Sequence, residues 1–202
     1  MSADFYLVRH ALKEKDVGDV FLTADGLEQA HATACFFEQI DIARIFCSPL
    51  NRAKQTAQII GNAIRIPITE DSRLRERANW GDMPGQSFQE FVEMWNRCTK
   101  ERDLTPPIGD SARKAGQRLS TFIMETAAKY PLERTVIVTH GGLITDFLLN
   151  EFSSDELNKK HPNFIIEQSN LVPECSITKI RHDSKGFEFV DFANIAHLID
   201  HC

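Results

Sequence analysis

The chemically capable residues of this chain stand at the ends of apolar runs. Phe5-Tyr6-Leu7-Val8 ends in Arg9-His10, and Thr135-Val136-Ile137-Val138-Thr139 ends in His140-Gly141-Gly142. Between them, Arg44-Ile45-Phe46-Cys47 leads into Ser48-Pro49, with Arg52 one helical turn further on. A core strand has no packing use for an arginine or a histidine at its end. Guanidinium forks fit phosphate oxygens bidentately, which lysine does less well. Arg9, Arg52, His140 and the amides of Gly141 and Gly142 at a helix start would clamp such an anion. His10 is the neutral nucleophile of the set. Its imidazole can attack phosphorus if one ring nitrogen is deprotonated and the other is held by an acceptor. In-line displacement also needs a proton for the leaving oxygen, from a residue outside the cationic clamp.

For these residues to meet, the runs must be parallel strands joined through helices, because ligands of such sheets bind beyond the carboxyl ends of the strands. The patterning supplies the helices. Thr23-Ala24-Asp25-Gly26 reads as a start with Thr23 or Asp25 as cap. The helix that follows runs over 27–39 and buries Leu27, Ala30, Ala34 and Phe37. Asn51–Asn62 is a second helix, with Ala53, Ala57, Ile60 and Ile64 inward. Ile66-Pro67-Ile68-Thr69 suggests a short edge strand. Residues 86–102 form a helix with Phe88, Phe91, Val92, Trp95 and Cys98 as its apolar stripe. Asp110-Ser111 caps a long helix over 112–130, which buries Ala115, Leu119, Phe122, Ile123 and Ala127. A further helix spans Leu143–Glu151. Ser176–Ile180 and Phe187–Phe192 alternate like antiparallel edge strands. The expected fold is a three-layer α/β/α arrangement with a mostly parallel mixed sheet. One domain fits 202 residues, and residues 77–109 form a lid-like insertion over the pocket.

A net charge of −6 gives no global field toward nucleic acid or an anionic membrane. Any phosphate must therefore be caught by local positive charge. Five scattered cysteines without Cys-x-x-Cys spacing read as reduced thiols, most of them small core residues. With a strand starting almost at once, no signal peptide is expected, nor is a membrane span, and the setting is cytoplasmic. His161, His182, His197 and His201 lack metal-ligand spacing. No metal and no cofactor are expected, and the partner is a small phosphorylated substrate. Nothing in the chain points to an oligomeric state.

Four blocks, in this order, resemble the first branch of the histidine phosphatase superfamily, the phosphoglycerate-mutase-like clan. They are Leu-Val-Arg-His (7–10), Ser-Pro-Leu-Asn-Arg-Ala-Lys-Gln-Thr-Ala (48–57), Leu-Arg-Glu (74–76) and Val-Thr-His-Gly-Gly (138–142). The resemblance covers nearly the whole chain. It implies that His10 becomes a phosphohistidine that water then hydrolyses, as in a histidine acid-type phosphatase. Glu76 matches the acid of the family's Leu-x-Glu block, which would protonate the leaving group and then deprotonate water. Asp82 and Asp110 are weaker alternatives, and Asp110 serves more economically as a helix cap.

The chain departs from the family beside the nucleophile. Members commonly follow Arg-His with Gly and, two residues later, Ser or Thr, whereas Ala11 and Lys13 stand here. Lys13 replaces a hydroxyl with a cation near the substrate. Arg77, Trp80 and Met83 are the lid residues placed to touch substrate. The short lid favours hydrolysis by a phosphomonoesterase acting on a small metabolite. A phosphoglycerate mutase-type isomerase, a phosphohistidine-protein phosphatase and an inactive phosphate-binding protein are the alternatives.

Overall fold

Successive side chains of a strand point to opposite faces of the sheet, and here both faces are apolar. The computed structural model describes residues 2–199, except for the side chain of Ser169. His201 and Cys202 lie outside the described residues. Strand β1 (Ala3–Arg9) sends Phe5 and Leu7 to one face and Tyr6 and Val8 to the other; β4 (Arg134–Thr139) does the same with Ile137 against Val136 and Val138. The first face packs on α4 (Ala112–Lys129) and α5 (Gly141–Glu151) through Leu119, Phe122, Leu143 and Phe147. The second packs on α1 (Ala24–Glu38) and α2 (Asn51–Ile64) through Ala34, Phe37, Ala57 and Ile60. Three layers follow from that split.

The sheet has six strands in the order β3-β2-β4-β1-β5-β6, with β2 at Arg44–Cys47, β3 at Ile68–Glu70, β5 at Ile177–Asp183 and β6 at Gly186–Asn194. The first four run parallel; β5 pairs antiparallel with β1, and β6 antiparallel with β5. Register decides what meets at the carboxyl edge. Arg9 stands beside Thr139, and Cys47 beside Val138. The His10 amide donates to Thr139 O at 2.9 Å, and the Ser48 amide to Val138 O at 3.0 Å. His10, Ser48 and His140 therefore leave three adjacent strands at one level.

Several expectations shift. Thr23 is the cap of α1, accepting from the Gly26 amide. The helix consequently begins at Ala24, its inner face is Gly26, Ala30, Thr33, Ala34 and Phe37, and Leu27 is left exposed. Ser111, not Asp110, caps α4, and Asp110 accepts from Arg118 Nε at 3.1 Å instead. Helix α3 (Phe88–Lys100) starts behind a capping box of Ser87 and Glu90, and Phe88 at its first turn is exposed. Two short helices, α6 (Ser154–Lys160) and α7 (Phe164–Glu167), occupy a stretch where none was expected. Cys47, Cys98 and Cys175 are buried core thiols. No helix among the described residues is long and apolar enough to cross a membrane.

Phe147 is fully buried between Phe152 and Phe187, with ring centroids at 6.4 and 5.2 Å. Phe147→Ala is expected to cost about 3–5 kcal/mol in urea denaturation, since the aromatic cluster cannot collapse into the space. A loss below about 1 kcal/mol would contradict this packing.

Candidate active site

His10 leaves the end of β1 with its ring buried and its Nδ1 2.8 Å from the carbonyl of Ala11. A carbonyl only accepts, so the hydrogen of the neutral ring is assigned to Nδ1. The lone pair then sits on Nε2, where Arg52 Nε–H donates at 3.1 Å. Burial, followed by the charges of Arg52 and Arg9, holds His10 well below the ordinary histidine value of 6.5. The ring is thus uncharged, oriented and basic at one nitrogen.

His140 caps no amide with its side chain; it stands ahead of α5, with its ring 5.2 Å from that of His10 between centroids. Its Nε2 lies 2.8 Å from Ser48 Oγ. That hydroxyl also accepts from the Leu50 amide; with its own hydrogen turned to His140 Nε2, the neutral ring carries its hydrogen on Nδ1. Burial, then Arg52 and His10, holds this ring below the ordinary value too. Among the described residues, four buried side-chain polar atoms have no hydrogen-bond partner, and two of them, Arg52 Nη1 and His140 Nδ1, belong to this cluster. A buried polar group costs roughly 1–3 kcal/mol if left unsatisfied. With the His140 hydrogen on Nδ1, a tetrahedral anion beside His10 would satisfy both.

Arg9 reaches the cluster from one side, tied by Nη1 to Val172 O and by Nη2 to Glu174, both at 2.5 Å. Lys13 faces the same space. Burial, then the nearby Arg52 and Arg9, pulls its ammonium below its ordinary value. Cationic crowding is therefore local to this cleft in an acidic chain.

Glu76 lies across the cleft. Its Oε2 accepts from the Gly142 amide and its Oε1 from the Arg77 amide, each at 3.0 Å. The segment before it is fastened where Thr139 Oγ1 donates to Leu74 O at 2.7 Å and Arg118 Nη1 to Arg75 O at 2.8 Å. Gly142 is required for this approach, because a Cβ there would stand 2.6 Å from the Trp95 ring and 2.8 Å from Glu76 Oε1. The Gly142 amide is accordingly spent on Glu76 rather than left for an anion. The expected alternative acids are engaged elsewhere, Asp82 with Arg75 at 2.7 Å and Asp110 with Arg118.

The space comprises two adjoining lobes. One, of about 450 Å³, is lined by Arg9, His10, Glu76, Gly141, Asn170 and Glu174. The other, of about 280 Å³, passes Lys13 and Arg52 to an aromatic wall of Trp80, Phe88, Phe91 and Trp95. Trp80 lines this wall, while Met83 faces a separate crevice. Arg77, expected to touch substrate, lines neither lobe: its guanidinium is buried, 2.8 Å from Asp146. The 170–174 segment was not anticipated at the site. Its arrival depends on β5 returning antiparallel beside β1, and only Glu174 carried a chemical signal. Among the described residues, no group of three or more His, Cys, Asp or Glu is placed to hold a metal ion. A groove of about 530 Å³ along α1, lined by Asp25, Glu28 and His31, carries no convergent cations.

The sequence profile described as the histidine phosphatase superfamily (branch 1) matches residues 5–195. The chain is similar to "Uncharacterized phosphatase PhoE" of Bacillus subtilis, at 29% identity over 199 residues and 95% of each chain. It is also similar to "Probable phosphoglycerate mutase GpmB" of Escherichia coli O1:K1 / APEC, at 32% identity over 149 residues, covering 67% of this chain and 68% of the relative. Its fold matches that of a phosphoserine phosphatase from Entamoeba histolytica solved in complex with 3-phosphoglyceric acid. The TM-score is 0.75 at 21% identity, over 97% of this chain and 99% of the other.

Two rings kept neutral by burial make stability depend on pH. Below the ordinary value of 6.5, the unfolded chain protonates both histidines while the folded one resists. Stability is therefore expected to fall as pH drops below that value, by up to about 2.7 kcal/mol per pH unit while neither folded ring has charged. Urea midpoints at pH 7.5, 6.5 and 5.5 test this against a His10→Gln/His140→Gln variant. The two proteins losing stability in parallel would contradict it.

Proposed function

The chain belongs to the histidine phosphatase superfamily, branch 1, and from that premise we propose that it is a metal-independent phosphomonoesterase of the histidine acid type, acting on a small phosphorylated metabolite. The observation that carries this reading is the orientation of His10, with Nδ1–H bound to a carbonyl and the Nε2 lone pair facing the Arg52 guanidinium. Phosphate is taken up by Arg9, Arg52 and His140, with Gly141 beside Arg9 and Lys13 at the rim. Nε2 then attacks phosphorus. The P–O bond to the leaving group breaks, and protonated Glu76 gives its proton to that oxygen. The phosphorylated ring keeps its Nδ1–H on Ala11 O, so the imidazolium formed at the attack has its acceptor in place. Water next attacks phosphorus, Glu76 takes its proton, the N–P bond breaks, and orthophosphate leaves with His10 neutral again.

Arrangement of charge supports the assignment of roles. The cations converge where the phosphoryl oxygens would lie, and the carboxylate stands apart from them across the cleft. On this reading residues 77–109 roof the leaving-group lobe, with Trp80 as a contact and Arg77 as a buried support. A cytoplasmic setting accompanies it, with burial pushing the Cys47 and Cys175 thiols up to about 12 and so away from the reactive thiolate. Similarity to proteins named as mutases favours a second reading, transfer of the phosphoryl group back to product. It predicts dependence on 2,3-bisphosphoglycerate and no net release of phosphate.

With glycerol 2-phosphate and excess EDTA, wild-type protein is expected to release orthophosphate steadily, and His10→Ala to release none. Glu76→Gln is expected to lose about 10²-fold or more in kcat/KM, since it cannot protonate the alkoxide, while orthophosphate affinity measured by calorimetry stays within about twofold because the cationic clamp is untouched. Turnover by His10→Ala, or its loss from wild type in EDTA, would sink the reading.

A further inference from the structure

Arg77 and Asp146 form the one ion pair among the described residues with both side chains out of solvent, at 2% and 1% exposure. Arg77 Nη1 donates to Asp146 Oδ1 at 2.8 Å and Oδ2 at 3.0 Å, across 69 residues of chain. Its Nη2 donates to Thr99 Oγ1, and its guanidinium lies 3.7 Å from the centroid of the Trp95 ring. Three segments that each deliver a group to the cleft are thereby joined. They are the loop carrying Glu76, helix α3 carrying Trp95, and helix α5 carrying Gly142.

Their junction coincides with the support of the acid. Among the described residues, two hydrogen bonds hold the Glu76 carboxylate, one from the amide of Arg77 itself and one from Gly142, a single helical turn ahead of Asp146. The pair therefore contains one of the residues whose amides aim the carboxylate and stands one helical turn from the other, while lining neither lobe of the cleft. Burial pushes the Asp146 carboxyl up to about 7 against the opposing charge of Arg77. A carboxyl moved in that direction is costly to keep ionised at neutral pH, so folding stability is a poor account of the pair.

We propose that Arg77 and Asp146 are positioning residues that fix Glu76 in line with the leaving oxygen, a role that rests on Glu76 being the proton donor. The consequence is selective. A leaving group as acidic as p-nitrophenol departs without a proton, whereas an alkoxide does not. Loss of the brace should therefore damage hydrolysis of alkyl phosphates and spare aryl ones, in kcat/KM, which reports the steps through P–O cleavage.

The test is the double substitution Arg77→Met/Asp146→Leu, since replacing both members with apolar residues of similar volume is often neutral or stabilising, while removing one strands a buried charge. Circular dichroism and a urea midpoint near wild type verify that it folds; Arg77→Leu/Asp146→Met is the second packing of the same pair. Either folded variant is expected to lose about tenfold or more in kcat/KM for glycerol 2-phosphate and less than about threefold for p-nitrophenyl phosphate. Equal losses on both substrates, or none on either, would overturn the proposal. Glu76→Gln assayed alongside separates the two ideas. If it hydrolyses glycerol 2-phosphate normally, the assignment of the acid has failed. If it is crippled while the folded double variants are not, the brace alone has failed.

Discussion

The contact between His10 Nδ1 and the Ala11 carbonyl, 2.8 Å long, is the constraint from which the site takes its form. It allows the neutral ring only one tautomer and so decides which nitrogen keeps its lone pair. Burial and two guanidinium groups then make the charged ring unfavourable, leaving a base rather than an imidazolium beside the clamp. The same arginines that suppress a proton on His10 would attract the phosphoryl dianion. One set of charges thereby serves both the state of the nucleophile and the capture of the anion.

That arrangement needs a rigid frame, and the parallel strands provide it. With β4 between β2 and β1, His140 is flanked by Ser48 on one side and His10 on the other. The two faces of those strands are filled by separate apolar clusters, so a slip of one residue would exchange every side chain between layers. Register is in this way enforced by the core, and alignment of the site comes with it. Glu76 is held differently, by two amides and a loop pinned to β4 and α4. A loop gains its precision from specific hydrogen bonds, and that is why Gly142 and the Arg77–Asp146 pair matter at its position.

Legibility in the sequence divides along the same line. Apolar runs that end in Arg-His and His-Gly-Gly, and helices with apolar residues at helical spacing, are local patterns, and the corresponding elements stand where those patterns put them. Errors concentrate at ends and on solvent-facing turns. Leu27 is exposed because α1 opens at Thr23, and Phe88 because it lies in the first turn of α3. Helix α6 announces itself by a capping box, Ser153 with Glu156, a signal present in the letters. Arg77 is the instructive case. An arginine beside an expected catalytic acid reads as a substrate ligand, yet its partner is a carboxylate 69 positions away, and no local pattern distinguishes a buried guanidinium from an exposed one.

The chain alone was enough to establish a strand–helix repeat and to nominate the chemistry at the strand ends, because residue type and short-range period carry that information directly. It also nominated a local cationic site in a molecule of net charge −6, since Arg9 ends one apolar run and Lys13 and Arg52 follow within a few residues of two of them. Tertiary structure alone decided which donors are already spent, as Gly142 is on Glu76, which tautomer His10 adopts, and that the 170–174 segment completes the rim. Those are outcomes of distance between residues remote in the chain, and a hydrogen bond, falling away over a few tenths of an ångström, is set only when the whole core has packed.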